Sequence, residues 1–329
     1  MNLLILSPGR RCEIIKNFKT QLNKRNQKVI AVDMDKYAPA LYFADKFYVV
    51  KKNFDNLETY IEEIIKICQK ENAGFLMTLI DPELELLSGY RDRFSENHIQ
   101  LILSDDRHIK ITLDKYLFYL EYRNNMHLPK TFRTYDEAIR EVNAGSISFP
   151  IMAKPINGSA SLGIQKINSF PEMEFYKSRN DYIYQEYLRG KEIGIDLYFD
   201  LITGEIVSVF MKEKIAMRSG ETDKAISIFR KDLLKEIIKL EEDRGGYRGP
   251  VDVDMFISQD NKIFILEVNP RFGGGYPLAH YCGVDFIELI VNNLNGIQNK
   301  AKIGGYKLDT VMMKCNKLIF KTGADIYEE

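Results

Sequence analysis

The chain has 329 residues, of which 45% are hydrophobic and 28% are charged, and its formal net charge at pH 7 is −1. These values describe a globular protein of two or three domains and exclude a strong electrostatic attraction to nucleic acid or to an acidic membrane. The four cysteines and four histidines show no metal-ligand spacing, so the sequence predicts neither a zinc site nor a disulfide framework.

The apolar start of the chain, residues 3–6, is too short for the core of a signal peptide and has no basic leader before it. No apolar run approaches the length that spans a membrane. We therefore expect a cytoplasmic protein that has neither a membrane nor a nucleic acid as its partner.

The first hundred residues alternate between short apolar runs and amphipathic stretches. The stretches 13–22 and 57–69 carry apolar residues at helical spacing. This alternation predicts a parallel, Rossmann-like sheet covered by helices. The turn at residues 7–11 lacks the Gly-x-Gly-x-x-Gly pattern, so a dinucleotide site and a dehydrogenase activity are not expected. The predicted strands are residues 3–6, 29–32, 47–50, 75–79 and 101–103.

The next segment, residues 105–145, has mostly helical periodicity, and strand character returns after it. Residues 225–242 are predicted to form a further helix. Mixed strands with few long helices indicate an α+β half that differs from the N-terminal α/β half. The predicted strands of this half are residues 150–155, 163–167, 182–187, 193–199 and 206–210.

Two apolar runs, residues 253–257 and 263–268, flank a polar turn and predict a β-hairpin. Glu267 and Asn269 lie two residues apart and project from the same strand face, and pairing across the hairpin can bring Asp254 beside them. Two carboxylates and an amide oxygen form a donor set that suits Mg²⁺. An ordinary hairpin with solvated acids is the alternative.

Lys154 ends a predicted strand and is followed by a loop of small residues, 157–163. Small side chains let backbone N–H groups close over an anion, so this segment predicts a lid over phosphates. It is not a Walker A loop, because Gly-Lys-Ser/Thr is missing and a strand follows. A flexible hairpin loop is the alternative. The lid residues are Gly158, Ser159, Ser161 and Gly163.

The segment 184–192 ends one predicted strand and begins another. Such a crossover leaves free backbone N–H and C=O groups beside Leu188, which can pair with an adenine edge, while Glu192 can accept hydrogen bonds from ribose hydroxyls. An inter-strand turn with solvated charges is equally consistent with these residues.

Three cations are candidates for contacting a phosphate group. Arg271 follows Asn269 at the next same-face position. Lys212 and Arg218 belong to a polar segment that is predicted to connect a strand to a helix, where either cation can stabilise a transferred phosphoryl group. A solvated charged face is the alternative interpretation of this segment.

Taken in order, these motifs resemble the ATP-grasp superfamily, and within it the branch similar to the large subunit of carbamoyl phosphate synthetase. The most specific motif is Glu267-Val268-Asn269-Pro270-Arg271, and Asp114-Lys115 and Ala153-Lys154-Pro155 precede it in family order. The resemblance implies a Rossmann-like pre-ATP-grasp domain followed by a two-subdomain ATP-grasp fold. The implied domains are residues 1–107, residues 108–187 (subdomain A, with the phosphate lid) and residues 188–329 (subdomain B, with the metal and substrate site).

The resemblance also implies a role for each motif. Lys115 and Lys154 would contact the phosphates of ATP, Glu192 would hold the ribose, and Arg271 would lie near an acyl phosphate. The implied ligands of Mg²⁺, or of Mn²⁺ in its place, are Asp254, Glu267 and Asn269. The residues that would line the adenine pocket are Gln185, Glu186, Tyr187 and Leu188.

The implied activity is that of an ATP- and Mg²⁺-dependent ligase that activates a carboxylate as an acyl phosphate and joins it to an amine in small-molecule biosynthesis. The resemblance allows a homodimer. With one ATP-grasp unit and no glutaminase segment, carbamoyl phosphate synthesis is not expected. A non-catalytic nucleotide-binding regulator with the same fold is the alternative. The segments expected to select the substrates are residues 8–11, 81–85, 218–224 and 273–276.

Overall fold

The computed structural model describes residues 1–53, 55–158, 162–240, 246–323 and 326. The strands of these residues form three sheets, of five, four and seven strands. The five-stranded sheet is parallel, and the two others are built mainly from antiparallel pairs. The predicted combination of an α/β half with an α+β half is confirmed.

The N-terminal sheet consists of β1 (Asn2–Leu6), β2 (Val29–Asp33), β3 (Lys46–Val49), β4 (Ala73–Thr78) and β5 (Gln100–Leu101). The strand order is β3-β2-β1-β4-β5. The chain runs from β1 to one edge of the sheet and returns through β4 on the other side of β1. The C-terminal ends of β1 and β4 therefore flank a switch point, the place where open α/β sheets commonly bind ligands.

The helices near this sheet are α1 (Cys12–Asn23), α2 (Leu57–Lys70), α3 (Asp81–Gly89), α4 (Arg91–Glu96) and α5 (Asp106–Leu113), with a 3₁₀ turn at Pro39–Phe43. The two helices predicted at 13–22 and 57–69 are confirmed. α3 begins directly after β4 with acidic residues in its first turn, which the positive end of the helix dipole favours. This start places Asp81 at the switch point.

The four-stranded sheet consists of β6 (Thr131–Phe132), β7 (Ile151–Pro155), β8 (Gln165–Ile167) and β9 (Tyr182–Glu186), in the order β6-β9-β7-β8. The helices of this segment are α6 (Lys115–Tyr122), α7 (Tyr135–Asn143) and α8 (Phe170–Glu174). The side chain of Asp114 caps α6 by accepting hydrogen bonds from the backbone N–H groups of Tyr116 and Leu117. The Asp-Lys pair of the sequence thus places Lys115 at the first position of a helix.

The large sheet consists of β10 (Gly190–Phe199), β11 (Ile206–Arg218), β12 (Glu221–Ile228), β13 (Gly249–Ser258), β14 (Ile263–Asn269), β15 (Lys302–Ile303) and β16 (Val311–Met313). Its order is β14-β13-β10-β11-β12-β16, and β15 pairs with β11. The helices of this half are α9 (Lys231–Ile238), α10 (Tyr276–Tyr281) and α11 (Phe286–Leu294). No helix in the described ranges has both the length and the apolar character that a membrane crossing requires.

One hydrophobic core is shared by the N-terminal sheet and the large sheet. It contains Leu3 and Ile5 of β1 together with Tyr198 of β10, all of them buried. Phe18 of α1 packs edge-on against Phe272, with ring centroids 6.0 Å apart. The switch point of the first sheet faces the end of β14 in the second, because Arg271, which follows β14, contacts Asp81 at the switch point.

The helix predicted at 225–242 is wrong in its first part. Residues 221–228 form β12, and the helix is confined to Lys231–Ile238 among the described residues. Ala225 and Ser227 are fully buried and alternate with more exposed neighbours, which is the period of a strand. The preceding cations therefore lie on the long strand β11 and not in a connection between a strand and a helix.

Candidate active site

The predicted hairpin at the metal site is formed by β13 and β14. Asp254 pairs directly with Glu267, and Asp252 pairs directly with Asn269. Since residues two apart on a strand share a face, all four polar side chains lie on the same side of the hairpin. The expected approach of Asp254 to Glu267 is confirmed.

A lysine of β11 binds this group of side chains. The ammonium nitrogen of Lys214 lies 2.6 Å from an oxygen of Asp254 and 2.7 Å from an oxygen of Glu192. Burial, opposed by Lys214 and reinforced by the carboxylates of Asp252 and Glu267, raises the pKa of Asp254 to about 7. The site is thus rich in negative charge that a single ammonium only partly balances.

The donor set suits a magnesium ion. Within the described residues, the side chains of Glu267 and Asn269 have no hydrogen-bond or ion-pair partner, so their oxygens are available to a cation. Among the described residues, no group of three or more His, Cys, Asp or Glu side chains is arranged to hold a metal ion. The candidate donor set here consists of two carboxylates and one amide. Hard oxygen donors of this kind favour Mg²⁺ over softer metals.

Two candidate lysines belong to the four-stranded sheet and to the helix before it: Lys154 lies on β7 and Lys115 begins α6. The ammonium group of Lys154 donates a hydrogen bond to Gln185 Oε1 at 2.6 Å, and Gln185 in turn donates to Thr131 Oγ1. Burial lowers the pKa of Lys154, and the charges acting on it include those of Glu267 and Lys115. Lys115 donates to the backbone oxygen of Gly158 at 2.8 Å. Lys115 therefore lies beside the lid, and Lys154 is close enough to Glu267 of the hairpin for the two charges to interact.

The predicted adenine segment connects β9 to β10. Glu186, Tyr187 and Leu188 are half-buried at this crossover. Glu186 accepts a hydrogen bond from the backbone N–H of Lys130 at 3.3 Å, and the ring of Tyr187 lies 4.4 Å from the ammonium of Lys166. The assignment of this segment to adenine stays a prediction.

The lid is only partly described. Gly158 and Gly163 lie at its two ends with φ values of 126° and 75°. These values belong to the left-handed region that favours glycine. Ser159 and Ser161, which the sequence assigns to the same lid, lie outside the described residues.

Lys212 and Arg218, the two candidate cations that lie on β11, differ in their surroundings. Lys212 is fully buried, and its ammonium donates to Asp196 Oδ2 at 2.6 Å and lies 3.9 Å from Asp252 Oδ1. Arg218 is exposed at the end of β11, where its backbone is opposite that of Glu221 in the register with β12. A direct contact of either cation with a phosphoryl group stays a prediction, and the burial of Lys212 does not favour it.

The segments predicted to select substrates meet at the switch point. Arg271 forms a two-pronged ion pair with Asp81, and Arg11 lies 3.8 Å from Glu221. Burial, and then the neighbouring guanidinium of Arg271, lowers the pKa of Arg11 to about 10. The side chains of Arg11, Arg271, Asp81 and Glu221, which come from four distant segments, therefore lie together beside the metal hairpin.

The loop after β14 is shaped by three successive glycines. A Cβ atom on Gly273 would lie 2.3 Å from an oxygen of Asp252, and one on Gly275 would lie 2.5 Å from Cε of Lys212. A Cβ on Gly274 would lie 3.2 Å from the carboxyl carbon of Glu221. The glycines thus let the backbone approach charged side chains that a larger residue would displace.

Three residues of this site, Asp252, Asp196 and Lys214, were not assigned a role from the sequence. Asp252 lies between Arg271 and Lys212 and shares the strand face of Asp254. The Asp-Val-Asp alternation of β13 contained this signal, because residues at positions i and i+2 of a strand face the same way. Asp196 had a weaker signal, since it is a single acid within the apolar second half of β10, four residues after Glu192.

The first hundred residues, 3–102, match the family described as "PylC-like, N-terminal domain". Residues 112–275, which contain both lysines and the metal hairpin, match the family described as "ATP-grasp domain". The chain carries an ATP-grasp domain. The predicted resemblance is confirmed, and so is the predicted order of a Rossmann-like domain before the ATP-grasp fold.

Curated proteins similar to this chain include a ligase and a formyltransferase. Tyramine–L-glutamate ligase of Methanocaldococcus jannaschii is 23% identical over 287 residues, covering 84% of this chain and 82% of that protein. Formate-dependent phosphoribosylglycinamide formyltransferase of Proteus mirabilis is 26% identical over 286 residues, covering 82% of this chain and 67% of that protein.

Solved structures share the ATP-grasp fold over nearly the full chain. The biotin carboxylase domain dimer of Hydrogenobacter thermophilus 2-oxoglutarate carboxylase, in complex with MgADP, ADP and bicarbonate, superposes with a TM-score of 0.75 at 15% identity. The match covers 94% of this chain and 73% of that one. At this identity the likeness concerns the fold.

Proposed function

We propose that this protein is an ATP- and Mg²⁺-dependent ligase that activates a carboxylate as an acyl phosphate and joins it to an amine, releasing ADP and phosphate. The observation that carries the proposal is the pairing of Asp254 with Glu267 beside Asn269, opposite Lys154 in an ATP-grasp domain. The related ligases and the bound MgADP of the biotin carboxylase domain support it.

ATP would lie between the four-stranded sheet and the large sheet. Lys115 and Lys154 would contact its phosphates. The contact of Lys115 with Gly158 of the lid and the effect of Glu267 on the charge of Lys154 support this assignment. Glu192 would hold the ribose. The adenine would lie against the segment formed by Gln185, Glu186, Tyr187 and Leu188, and the lid would comprise Gly158, Ser159, Ser161 and Gly163.

The donors for the metal would be Asp254, Glu267 and Asn269. Mg²⁺ bound there would neutralise the charge of the β- and γ-phosphates during transfer. Replacement by Mn²⁺ stays a prediction. Lys214 and the metal would both contact Asp254. When the metal binds, we expect the ammonium group of Lys214 to stay in contact with Glu192.

The chemistry has two steps. A substrate carboxylate oxygen attacks the γ-phosphorus of ATP, and ADP leaves. The amine nitrogen then attacks the carbonyl carbon of the acyl phosphate, inorganic phosphate leaves with the electron pair of the C–O bond, and the nitrogen loses a proton. The protein supplies no covalent nucleophile; it positions the reactants, offers Arg271 to the developing charge and excludes water that would hydrolyse the acyl phosphate.

The substrates would bind at the switch point of the N-terminal sheet. Arg11 and Arg271 provide positive charge there, and Asp81 and Glu221 provide negative charge. Mixed charges of this kind suit a molecule that carries both signs, such as an amino acid. The name of the tyramine–L-glutamate ligase makes an amino acid and an amine the first pair to test.

The proposal is tested by screening pooled amino acids and other carboxylates with pooled amines for ADP release, followed by mass spectrometry of the product. We expect ADP release that needs a carboxylate, an amine and Mg²⁺ together, with a product one water lighter than their sum. Tight nucleotide binding without any such dependence would instead support a regulatory protein of the same fold. A light-scattering measurement in solution tests the homodimer that the resemblance allows.

A further inference from the structure

Arg271 connects the metal hairpin to the N-terminal domain. Its Nε atom donates to Asp81 Oδ1 at 2.9 Å, and its Nη2 atom donates to Asp81 Oδ2 at 3.0 Å. The side chains of Arg271 and Asp81 are 11% and 10% exposed, so solvent screens this contact weakly. Burial lowers the pKa of Arg271, but Asp81 and then Asp252 outweigh burial, and the net direction is upward.

The remaining contacts hold the same guanidinium from the hairpin side. Nη1 donates to the backbone oxygen of Phe272 at 3.2 Å and lies 3.4 Å from Asp252 Oδ2. A guanidinium carries five N–H donors in one plane. Asp81 takes the N–H of Nε and one N–H of Nη2, and Phe272 and Asp252 take the two N–H groups of Nη1. Among the described residues one N–H of Nη2 is left, and it can donate to a further anion.

The first turn of α3, which contains Asp81, is fixed by contacts of its second acid. Asp81 starts α3 immediately after β4, and the next acid of that helix, Glu83, is buried and accepts hydrogen bonds from Ser7 and Tyr60. Glu83 also forms an ion pair with Lys52. The backbone that carries Asp81 is therefore well fixed. Asp81 and Arg271 are 190 positions apart in the sequence.

We propose that Asp81 is a positioning residue, which orients Arg271 so that its remaining Nη2 N–H is directed to the phosphate that is transferred. The proposal rests on the proposed ligase function. An arginine side chain that is already ordered loses little further freedom when charge develops, so its stabilisation of that charge is larger. Asp81 does not need to touch a substrate for this effect. Its loss should therefore change the rate of the chemical step more than the affinity for ATP.

Kinetic measurements on Asp81→Asn, Arg271→Lys and the double variant test the proposal. We expect Asp81→Asn to lower kcat by about 10- to 100-fold and to change the KM for ATP by less than about twofold, because small misplacements of a catalytic group have effects of that size. In the Arg271→Lys background the same substitution should have little further effect. Losses that multiply, or an unchanged kcat in Asp81→Asn, would overturn the proposal.

Asp106→Asn is the matched control. Asp106 pairs with Arg91 at 2.9 Å in the same part of the chain, but this pair is more exposed and far from the hairpin in sequence. We expect wild-type kcat and KM from this variant. Circular dichroism at the assay temperature verifies that each variant is folded.

A spectroscopic readout separates this proposal from the ligase assignment. In protein labelled with ¹⁵N at arginine Nε, the Arg271 signal is identified by its absence in Arg271→Lys. We expect this signal to exchange slowly with water in the wild type and in Asp106→Asn, and rapidly in Asp81→Asn. Slow exchange that persists in Asp81→Asn would overturn the proposal whether or not a substrate pair has been found, whereas absent ligation would count against the proposed function alone.

Discussion

The ammonium group of Lys214 lies 2.6 Å from Asp254 and 2.7 Å from Glu192, and only 4% of the lysine side chain is exposed. A buried monovalent cation therefore joins a predicted metal ligand to the predicted ribose ligand. Its neighbours raise the pKa of Lys214 above its usual value, against the lowering effect of burial. The lysine remains charged and holds together acids that would otherwise repel each other.

Replacing Lys214 with methionine should leave two partly buried carboxylates without the ammonium group that both contact. We expect the free energy of unfolding to fall by about 3 kcal/mol, the usual size of the effect when one member of a buried pair is removed. Mg²⁺ should restore part of this loss, because a divalent ion can neutralise the same acids. Urea unfolding with and without MgCl₂ measures both effects.

Lys191→Met is the control, because it removes a more exposed pair with Glu213. It should lower the free energy of unfolding by less than about 1 kcal/mol. Equal losses of unfolding free energy in the two variants would contradict this account.

Replacing Glu267 with glutamine should remove a negative charge from the hairpin while preserving its shape. We expect turnover to fall by on the order of a hundredfold or more. Without the carboxylate the metal ion is bound less well, so the negative charge that develops on the phosphates is no longer neutralised. Product formation at increasing Mg²⁺ measures the loss. Asp260→Asn in the exposed turn of the same hairpin is the control and should behave as the wild type. Wild-type turnover in Glu267→Gln would remove this residue from the metal site.

Replacing Lys154 with alanine should weaken ATP binding by about tenfold, because a charge-assisted contact contributes about 1.5 kcal/mol or more. Isothermal titration with a non-hydrolysable ATP analogue gives the dissociation constant. Lys177→Ala alters an exposed lysine that follows α8 in the same part of the chain, and it should leave the constant unchanged. The same affinity in both variants would exclude Lys154 from the phosphate site.

Replacing Gly275 with alanine should disturb the buried pair of Lys212 and Asp196. The new Cβ would lie 2.5 Å from Cε of Lys212, which cannot move freely because its ammonium is bound. We expect a loss of about 1–3 kcal/mol in the free energy of unfolding, as is usual for overpacking. Gly89→Ala is the control, since a Cβ there has no neighbour within 4 Å. Chemical denaturation of both variants measures the difference, and equal stability would show that the loop can move aside.

The cysteines should differ in reactivity toward a thiol reagent. Cys315 is exposed, whereas Cys68 is buried and burial raises its pKa to about 12. Since the thiolate is the reactive form, Cys68 should stay unlabelled in the native protein even at pH 9, and Cys315 should react first. Mass spectrometry of labelled peptides over time tests this order. Cys315→Ser should remove the fast phase, and rapid native labelling of Cys68 would contradict the burial.

Part of the candidate site could be predicted because it depends on local geometry. The period of two in a strand predicts that Glu267 and Asn269 share a face, and one hairpin turn suffices to bring Asp254 beside them. The capping of α6 by Asp114 is similarly local, and it places Lys115. Continuous apolar runs between amphipathic stretches indicated the parallel sheet, since its inner strands are covered on both faces.

The tertiary structure alone decided the rest. Residues 221–228 form a strand because β11 lies beside them, and the pairing outweighs a local pattern that favoured a helix. The partners of Arg271 and Lys214 lie on other elements, far away in sequence, so no spacing rule identifies them. Local patterns reflect backbone hydrogen bonding over a few residues, whereas the pairing of buried charges follows from which surfaces pack together when the whole core forms.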